Sequence, residues 1–460
     1  MNPGPQRPAD PAPRRLLRTV DVMALVVGIV IGAGIFSAPA LVAANAGTPG
    51  QMLAAWLLGG LIAVAGALCY AELATAYPDA GGDYSFLRLA FGDRLSFLFA
   101  WARLTVIPTG SIALLGYVFG DYMTQVWRIG PHSAALYAAL MVAALTLLNI
   151  AGLKAGKWTQ NALTLVEVGG VALIVAVGLL AAPPALPAAV PAAAPAAANW
   201  GLVLIFVMLT YGGWNEAAYV SAEVTGPGRS LPRALFWSLA LITLLYLLVN
   251  AAYLRMLGLA GMAASDAIAA DMMRLVFGEP GARLIAALIA VSALTSANAT
   301  ILAGARTTYA FGRDTPMFAP LGRWNLRRDT PAAALWVQGA VALALVALGA
   351  VTRSGFATMV EYTAPVFWLF FVLTGVSLFV LRRRMPGAAR PFRVPLYPFT
   401  PLVFCATSAY LLYASVRHTG IGAIAGLAVL AAGALLLLAR PDAARTHGAP
   451  WVPTRQGDPS

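Results

Sequence analysis

The chain has 460 residues, of which 60% are apolar and only 10% are charged, and its formal net charge is +12. Soluble domains carry roughly 25% charged residues, so this composition argues against a water-soluble protein. The basic residues lie in short segments between long apolar runs, where they indicate membrane topology and not nucleic-acid binding.

Twelve apolar runs are long enough to cross a membrane, which takes about 20 helical residues. They are 20–44, 51–77, 95–126, 133–152, 159–182, 200–223, 232–257, 282–312, 331–351, 356–381, 398–416 and 420–439. Lysine and arginine are concentrated in the segments that lie inside when the N-terminus is inside. This bias predicts a protein of the cytoplasmic membrane, in contact with lipid, with cytoplasmic tails at 1–19 and 440–460.

The first and sixth predicted spans are interrupted by glycine. The first contains GIVIGAGIFSAP, with Gly32, Gly34 and then Pro39, and the sixth contains LTYGGW, with Gly212 and Gly213. A Pro/Ala-rich segment, 183–199, precedes the sixth span and is interpreted as an external connector. Glycine-interrupted helices in matching positions of two repeats indicate a midplane binding site, although glycines also serve close helix packing. We therefore predict a first repeat at 20–182, a second at 200–381, and two further spans at 382–439.

The chemistry of these interruptions suits an α-amino acid. Unwinding at Ile31, Gly32, Ala33, Gly34 and Ile35 frees backbone N–H groups at the start of a half-helix, where an anion such as a carboxylate binds. Unwinding near Leu209, Thr210, Tyr211 and Gly212 leaves carbonyls that need a donor, which a substrate ammonium group supplies. Leu209 and Tyr211 are predicted to line the side-chain pocket.

Four segments together resemble one known family. They are IGAGIFSAPA, ELATAYPDAGGDYSFLRLAFG (72–92), YGGWNEAAYVSAEV (211–224) and SALTSANATILAGARTTYAFGRD (292–314). The chain resembles the amino acid–polyamine–organocation superfamily, and within it the L-type amino acid transporter branch. The resemblance implies an all-α polytopic membrane protein of the leucine-transporter type. Such a fold has a five-plus-five inverted repeat with two C-terminal helices, and it works by alternating access.

The chain departs from this family at three places. Leu209 stands where an aromatic residue often gates the substrate, which permits a bulkier substrate. The loop at 127–132 lacks the cysteine that links animal relatives to a heavy chain, so no disulfide-linked partner subunit is expected. Aligning Gln160–Asn161 with the family's Q-N places Glu167 where a lysine often lies in the family.

Glu167 is the most informative single residue for ion coupling. An ionisable group inside a membrane span is costly and is by default a functional hypothesis. It is a candidate proton carrier or ammonium contact. The alternative is structural pairing with Arg103 or Arg306.

Hydroxyl residues in the eighth span are a second candidate for coupling. Ser292, Thr295 and Ser296 are predicted to face the first span, where they suit an ion site. Hydrogen bonding between helices explains them equally well.

The sequence therefore favours a secondary active transporter of neutral amino acids, coupled to protons. A carrier of cationic amino acids or polyamines, an exchanger, and an amino acid sensor remain alternatives. The sequence contains no HExxH, no GxSxG and no Cys/His cluster, so an enzyme is not predicted, and neither a cofactor nor a metal is expected.

Overall fold

The computed structural model describes residues 17–32, 34–79, 81–152, 157–182, 198–328, 330–352, 355–418 and 420–439; the side chains of 157–167, 220, 222, 223 and 314 lie outside this description. Most of the described residues are helical, and the pairings between extended segments among them are two isolated β-bridges. The α-helices are α1 (Thr19–Val30), α2 (Gly34–Asn45), α3 (Pro49–Ala76), α4 (Asp83–Phe91), α5 (Asp93–Thr105), α6 (Ile107–Val126), α7 (Ser133–Ile150), α8 (Lys157–Leu180), α9 (Trp200–Thr210), α10 (Pro227–Ala263), α11 (Ile268–Asp314), α12 (Ala332–Thr352), α13 (Gly355–Arg384), α14 (Phe399–Arg417) and α15 (Ile421–Ala439). Short 3-10 helices cover Trp214–Glu223 and Pro316–Phe318.

The helices coincide with the apolar runs, because a segment in lipid must satisfy its backbone hydrogen bonds internally. Among the described residues, nine helices are long and apolar enough to cross a membrane, and α1 with α2, which meet at 52°, would make a tenth. These correspond to ten of the twelve predicted spans. The other two, 159–182 and 200–223, correspond to α8 and to α9 with the 3-10 helix after it. With 11 residues, α9 has about half the length that a crossing needs.

Two long helices continue past the predicted limits of their spans. In α10 and α11 the backbone is non-helical at Gly258 and Gly278, each with a φ of +66°. The predicted limits 257 and 282 lie close to these kinks. The helical segments beyond them, and the short helix α4 with its polar and apolar faces, were not predicted, because none has the length of an apolar crossing.

Small residues determine how closely the helices pack around the interrupted segments. A Cβ atom at Gly60 of α3 would overlap Thr243 of α10, and one at Gly120 of α6 would overlap the backbone of Ala134 in α7. Helices in lipid associate by close van der Waals contact, so small residues at a crossing determine which faces meet. Helix α10 packs against α1, α2 and α3, and α3 packs against α9, so both lie beside the interrupted segments.

Candidate functional site

The first predicted interruption is present between α1 and α2. The α1 helix ends at Val30, where Ile31 caps it with a ψ of +75° and the Gly32 amide donates to the Val30 carbonyl at 2.8 Å. Helix α2 begins at Gly34, so its first amides, from Gly34 onward, have no carbonyl of their own helix to bond. The positive end of the helix dipole lies at the same point, which makes the break an anion-binding geometry. Ala33 lies outside the described residues.

The second predicted interruption is present directly after α9. Tyr211 and Gly212 form a tight turn, in which the Gly212 amide donates to the Leu209 carbonyl at 3.0 Å. The turn is completed by Gly213, whose φ of +110° favours glycine. A Cβ atom at Gly213 would lie 2.6 Å from Cγ2 of Ile29 in α1. The second break therefore packs directly against the end of α1.

The two breaks are joined by Tyr246 of α10, a residue that the sequence analysis missed. Its buried hydroxyl lies 2.7 Å from the carbonyl oxygen of Val30 and 3.2 Å from that of Thr210. These are the last helical residues of α1 and α9, whose carbonyls lack amide partners within their helices. A single phenolic group thus bonds the C-terminal ends of both half-helices. The sequence did carry a signal for Tyr246, because its hydroxyl lies in an otherwise apolar run, four residues before the polar Asn250. Polar residues in membrane helices often hydrogen-bond across helices.

Thr210 also lies against the start of α2. A Cβ atom at Gly34 would lie 3.3 Å from Cγ2 of Thr210, so glycine allows the two half-helices to approach. The Thr210 hydroxyl itself donates to the Phe206 carbonyl at 2.8 Å. The N-terminal amides of α2 and the C-terminal carbonyls of α1 and α9 therefore lie in one small region.

The two predicted pocket side chains differ in their placement. The Tyr211 hydroxyl donates to the Trp56 carbonyl at 2.9 Å, and its ring centre lies 5.1 Å from that of Tyr246. The fully buried Tyr211 ring is thus held against α3. Leu209 is half-buried among apolar neighbours.

Of the predicted coupling residues, Ser296 lies close to the first break. Its Oγ atom is 3.9 Å from the position of a Cβ on Gly32. The Thr295 hydroxyl donates to the Val291 carbonyl of its own helix at 2.9 Å, and Ser292 is buried. Glu167 belongs to α8, and its side chain lies outside the described residues.

Arg103, one of the two partners considered for Glu167, bonds elsewhere. Its Nη1 atom lies 3.3 Å from Oε1 of Glu216 and 3.3 Å from the hydroxyl of Tyr219, both in the 3-10 helix after the second break. The Tyr219 hydroxyl in turn donates to Asp83 at 3.2 Å. These contacts attach the segment after the second break to α4 and α5.

Asp83 joins further helices to this cluster. Its buried carboxylate accepts hydrogen bonds from Tyr70 of α3 at 2.5 Å and from Thr374 of α13 at 3.1 Å. Burial raises the pKa of Asp83, and the hydrogen bonds from Tyr70 and Thr374 oppose that rise. We name Tyr70, Asp83, Arg103, Glu216, Tyr219 and Thr374 the Asp83 network.

A second polar cluster lies at the end of α3. Buried Glu72 accepts two hydrogen bonds from Arg382 of α13, at 2.7 and 2.5 Å, and one from the Val394 amide at 2.7 Å. A bidentate guanidinium–carboxylate pair is among the stronger polar contacts, and the amide bond uses a remaining lone pair of the carboxylate. This cluster fixes the end of α3 to α13 and to the segment after it.

Comparison with known proteins identifies the family of the chain. A family model described as amino acid permease matches residues 17–434. The b(0,+)-type amino acid transporter 1 of Mus musculus is 30% identical, over 85% of this chain and 80% of that protein. The serine/threonine exchanger SteT of Bacillus subtilis (strain 168) is 29% identical, over 89% and 93%. The large neutral amino acids transporter small subunit 2 of Mus musculus is 29% identical, over 90% and 78%.

The similarity covers between 78% and 93% of the length of these relatives, so it is not confined to one motif. Each of the three is named as a transporter or an exchanger of amino acids, and none is named as an enzyme. The helices of the described chain are long and apolar enough for repeated membrane crossing. The chain belongs to the amino acid permease family, and it is a multi-pass membrane protein that transports amino acids.

Proposed function

We propose that the protein carries neutral α-amino acids across the cytoplasmic membrane by alternating access, with both termini in the cytoplasm. In this proposal the chain has twelve spans, arranged as two inverted repeats of five with two further spans. One observation carries the substrate assignment: the N-terminus of α2 and the C-termini of α1 and α9 meet at two helix breaks. One end offers amides to an anion and the other offers carbonyls to a cation.

The substrate carboxylate would bind the first amides of α2, from Gly34 onward. The ammonium group would bind carbonyl oxygens near Leu209 and Tyr211, since a carbonyl has two lone pairs and can accept a second donor. The binding groups are backbone atoms, so they recognise the part that all α-amino acids share. The α-substituent would lie beside Leu209, whose modest size leaves room for a bulky side chain.

Alternating access requires one end of the site to open while the other is closed. The Asp83 network holds the segment after the second break to α3, α4, α5 and α13. The distribution of basic residues predicts that this end faces the cytoplasm. We infer that the network closes the cytoplasmic side and that its opening releases substrate inside.

Proton coupling is assigned to Glu167 of α8 on the basis of its place in a membrane span. A carboxyl there carries a proton when it binds the proton with the site open to one side of the membrane and releases it with the site open to the other. Ser296, beside Gly32, would stabilise the first break during this change.

Exchange of one amino acid for another is a second candidate function. It is favoured by the similarity to SteT, which is named a serine/threonine exchanger and aligns with 89% of this chain. Exchange needs no proton gradient, so the two functions are separable by experiment.

The test is uptake by proteoliposomes that contain the purified full-length protein. Labelled leucine, alanine, arginine and putrescine are offered with and without an inward proton gradient, in the wild type and in Glu167→Gln. Accumulation of leucine and alanine with the gradient, and loss of that dependence in Glu167→Gln, supports a proton-coupled carrier. Ser415→Ala serves as a control on a buried polar residue of α14, whose hydroxyl has no hydrogen-bond partner in the described part of the chain, and it should retain the gradient dependence.

Two results would contradict parts of this proposal. Uptake that needs internal amino acid and ignores the gradient assigns an exchanger and removes the role of Glu167. Uptake of putrescine without any amino acid contradicts the carboxylate site at α2, because putrescine has no carboxylate.

A further inference from the structure

A cavity of about 300 Å³ lies where α6, α7, α12 and α13 meet at one end of the bundle. Its wall includes Tyr117 and Asp121 of α6, His132 before α7, and Gly349 and Gly355 from α12 and α13. The residues around it do not belong to α1, α2 or α9, so it is separate from the helix breaks. Small-molecule pockets have volumes of roughly 300–1,000 Å³, and this cavity therefore suits a small solute.

Asp121 lies in the cavity wall without a compensating charge. In the described part of the chain, no cation and no hydrogen-bond donor bonds its carboxylate, and the charged group that acts on it is another carboxylate, Asp266. An acid in a membrane helix is costly unless a partner is present, and a neighbouring negative charge increases that cost. A bound cation would supply the missing partner.

Tyr117 gives the cavity an aromatic wall next to this carboxylate. It precedes Asp121 by four residues, so both side chains lie on one face of α6. Its hydroxyl donates to the Val346 carbonyl at 2.5 Å, and a Cβ at Gly349 would lie 2.6 Å from the ring. Gly355 also packs against this ring, so two glycines create the space that it fills. The ring is thereby fixed in place by α12 and α13.

A carboxylate beside an aromatic ring is a suitable environment for an ammonium group. The carboxylate accepts a charge-assisted hydrogen bond, and the face of the ring attracts a cation within about 6 Å. The imidazole of His132, when neutral, adds one further acceptor nitrogen. No group of three or more histidine, cysteine or acidic residues positioned for a metal ion occurs among the residues described, so the donors favour an organic cation over a metal.

We propose that this cavity is a second binding site, for the primary ammonium group of a small organic cation. It lies beside the loop at 127–132, which the distribution of basic residues predicts to be external. The site is built by helices outside the two breaks and binds its ligand without a carboxylate. It is therefore independent of the amino acid site and of the coupling mechanism.

Putrescine is the probe, because it carries two ammonium groups and has no carboxylate for the amides of α2. Binding to the purified full-length protein is measured by titration calorimetry at neutral pH and constant ionic strength. The wild type should bind putrescine saturably at millimolar concentration or below, and Asp121→Asn should weaken binding at least tenfold. Leucine uptake by Asp121→Asn should stay near the wild-type rate, which also establishes that the variant folds.

Three matched variants sharpen the result. Asp266→Asn removes a nearby carboxylate that acts on Asp121 but is not part of the cavity wall, so it should weaken putrescine binding less than Asp121→Asn does. Tyr117→Phe keeps the ring and should retain binding, whereas Tyr117→Leu removes the ring and should weaken it. This pair tests the site even when Asp121→Asn gives too little protein.

Either of two outcomes overturns the proposal. One is the lack of saturable putrescine binding by the wild type, which means that the cavity is not a site for an organic ammonium group. The other is binding that Asp121→Asn leaves intact but Gly34→Val abolishes, since a larger side chain at Gly34 fills the space against Thr210. That result would place the cation at the helix breaks.

Discussion

Tyr246 bonds two carbonyl oxygens that have no amide partner in their own helices. Its hydroxyl contacts Val30 and Thr210, and its ring packs on Trp56 at a centre distance of 5.5 Å. Tyr246→Phe should keep the ring contact and remove this donor from both carbonyls. The Val30 carbonyl still accepts from the Gly32 amide at 2.8 Å, whereas the Thr210 carbonyl loses its donor in the described part of the chain. A buried polar group left unpaired costs about 1–3 kcal/mol, so we expect a lower melting temperature and roughly a tenfold fall in kcat/KM for leucine uptake.

The matched control is Tyr253→Phe on the same helix. Tyr253 is fully buried, and in the described part of the chain its hydroxyl has no hydrogen-bond partner. Removing that hydroxyl should leave stability and uptake nearly unchanged. Equal effects of the two substitutions would mean that the bonds to Val30 and Thr210 do not support the site.

At the scale of single elements, the second break depends on the backbone of Gly213. A side chain there meets Ile29 and an unfavourable φ of +110°. Gly213→Ala should therefore lower the free energy of unfolding by at least about 1–2 kcal/mol, which is typical for a non-glycine residue in the left-handed region. It should also lower uptake, because the added side chain forces α1 and α9 apart. Thermal unfolding in detergent and leucine uptake measure the two effects.

Gly28→Ala in α1 provides the comparison for this substitution. A Cβ at Gly28 meets no atom within 4 Å, and the residue is helical. Alanine is favoured over glycine in a helix by about 0.5–1 kcal/mol, so this variant should be as stable as the wild type or more stable. Similar destabilisation by both substitutions would contradict the role assigned to the conformation of Gly213.

The same elements show which features of the fold and the site are predictable from the sequence. Spans such as 331–351, found as Ala332–Thr352, are predictable because lipid demands an apolar helix of a certain length. The breaks are predictable because glycine and proline weaken a helix locally. The contacts of Tyr246 with Val30 and of Arg382 with Glu72 join residues 216 and 310 positions apart. They depend on the rotation of each helix about its axis, and apolar composition does not specify that rotation.

For the whole molecule, the Asp83 network connects the segment after the second break with four other helices. The pair of Arg103 and Glu216, at 3.3 Å, is the direct charge contact in this connection, and 11% and 33% of the two side chains are exposed. Glu216→Gln should weaken the closed state on the cytoplasmic side and increase the population of the open one. We expect the equilibrium constant between the closed and open states to change a few-fold, since a partly exposed ion pair contributes about 1 kcal/mol or less.

The measurement is the labelling rate of a cysteine introduced at Ala218, which is buried in the 3-10 helix. It uses inside-out vesicles, a membrane-impermeant maleimide, and a background in which Cys69 and Cys405 are replaced by alanine. Glu216→Gln should raise the labelling rate. Asp93→Asn should not, because Asp93 pairs with Arg88 at 2.8 Å between adjacent helices and does not contact the segment after the break. A faster rate in both variants would indicate general loosening of the structure, and an unchanged rate in Glu216→Gln would contradict the assignment of the network as the cytoplasmic closure.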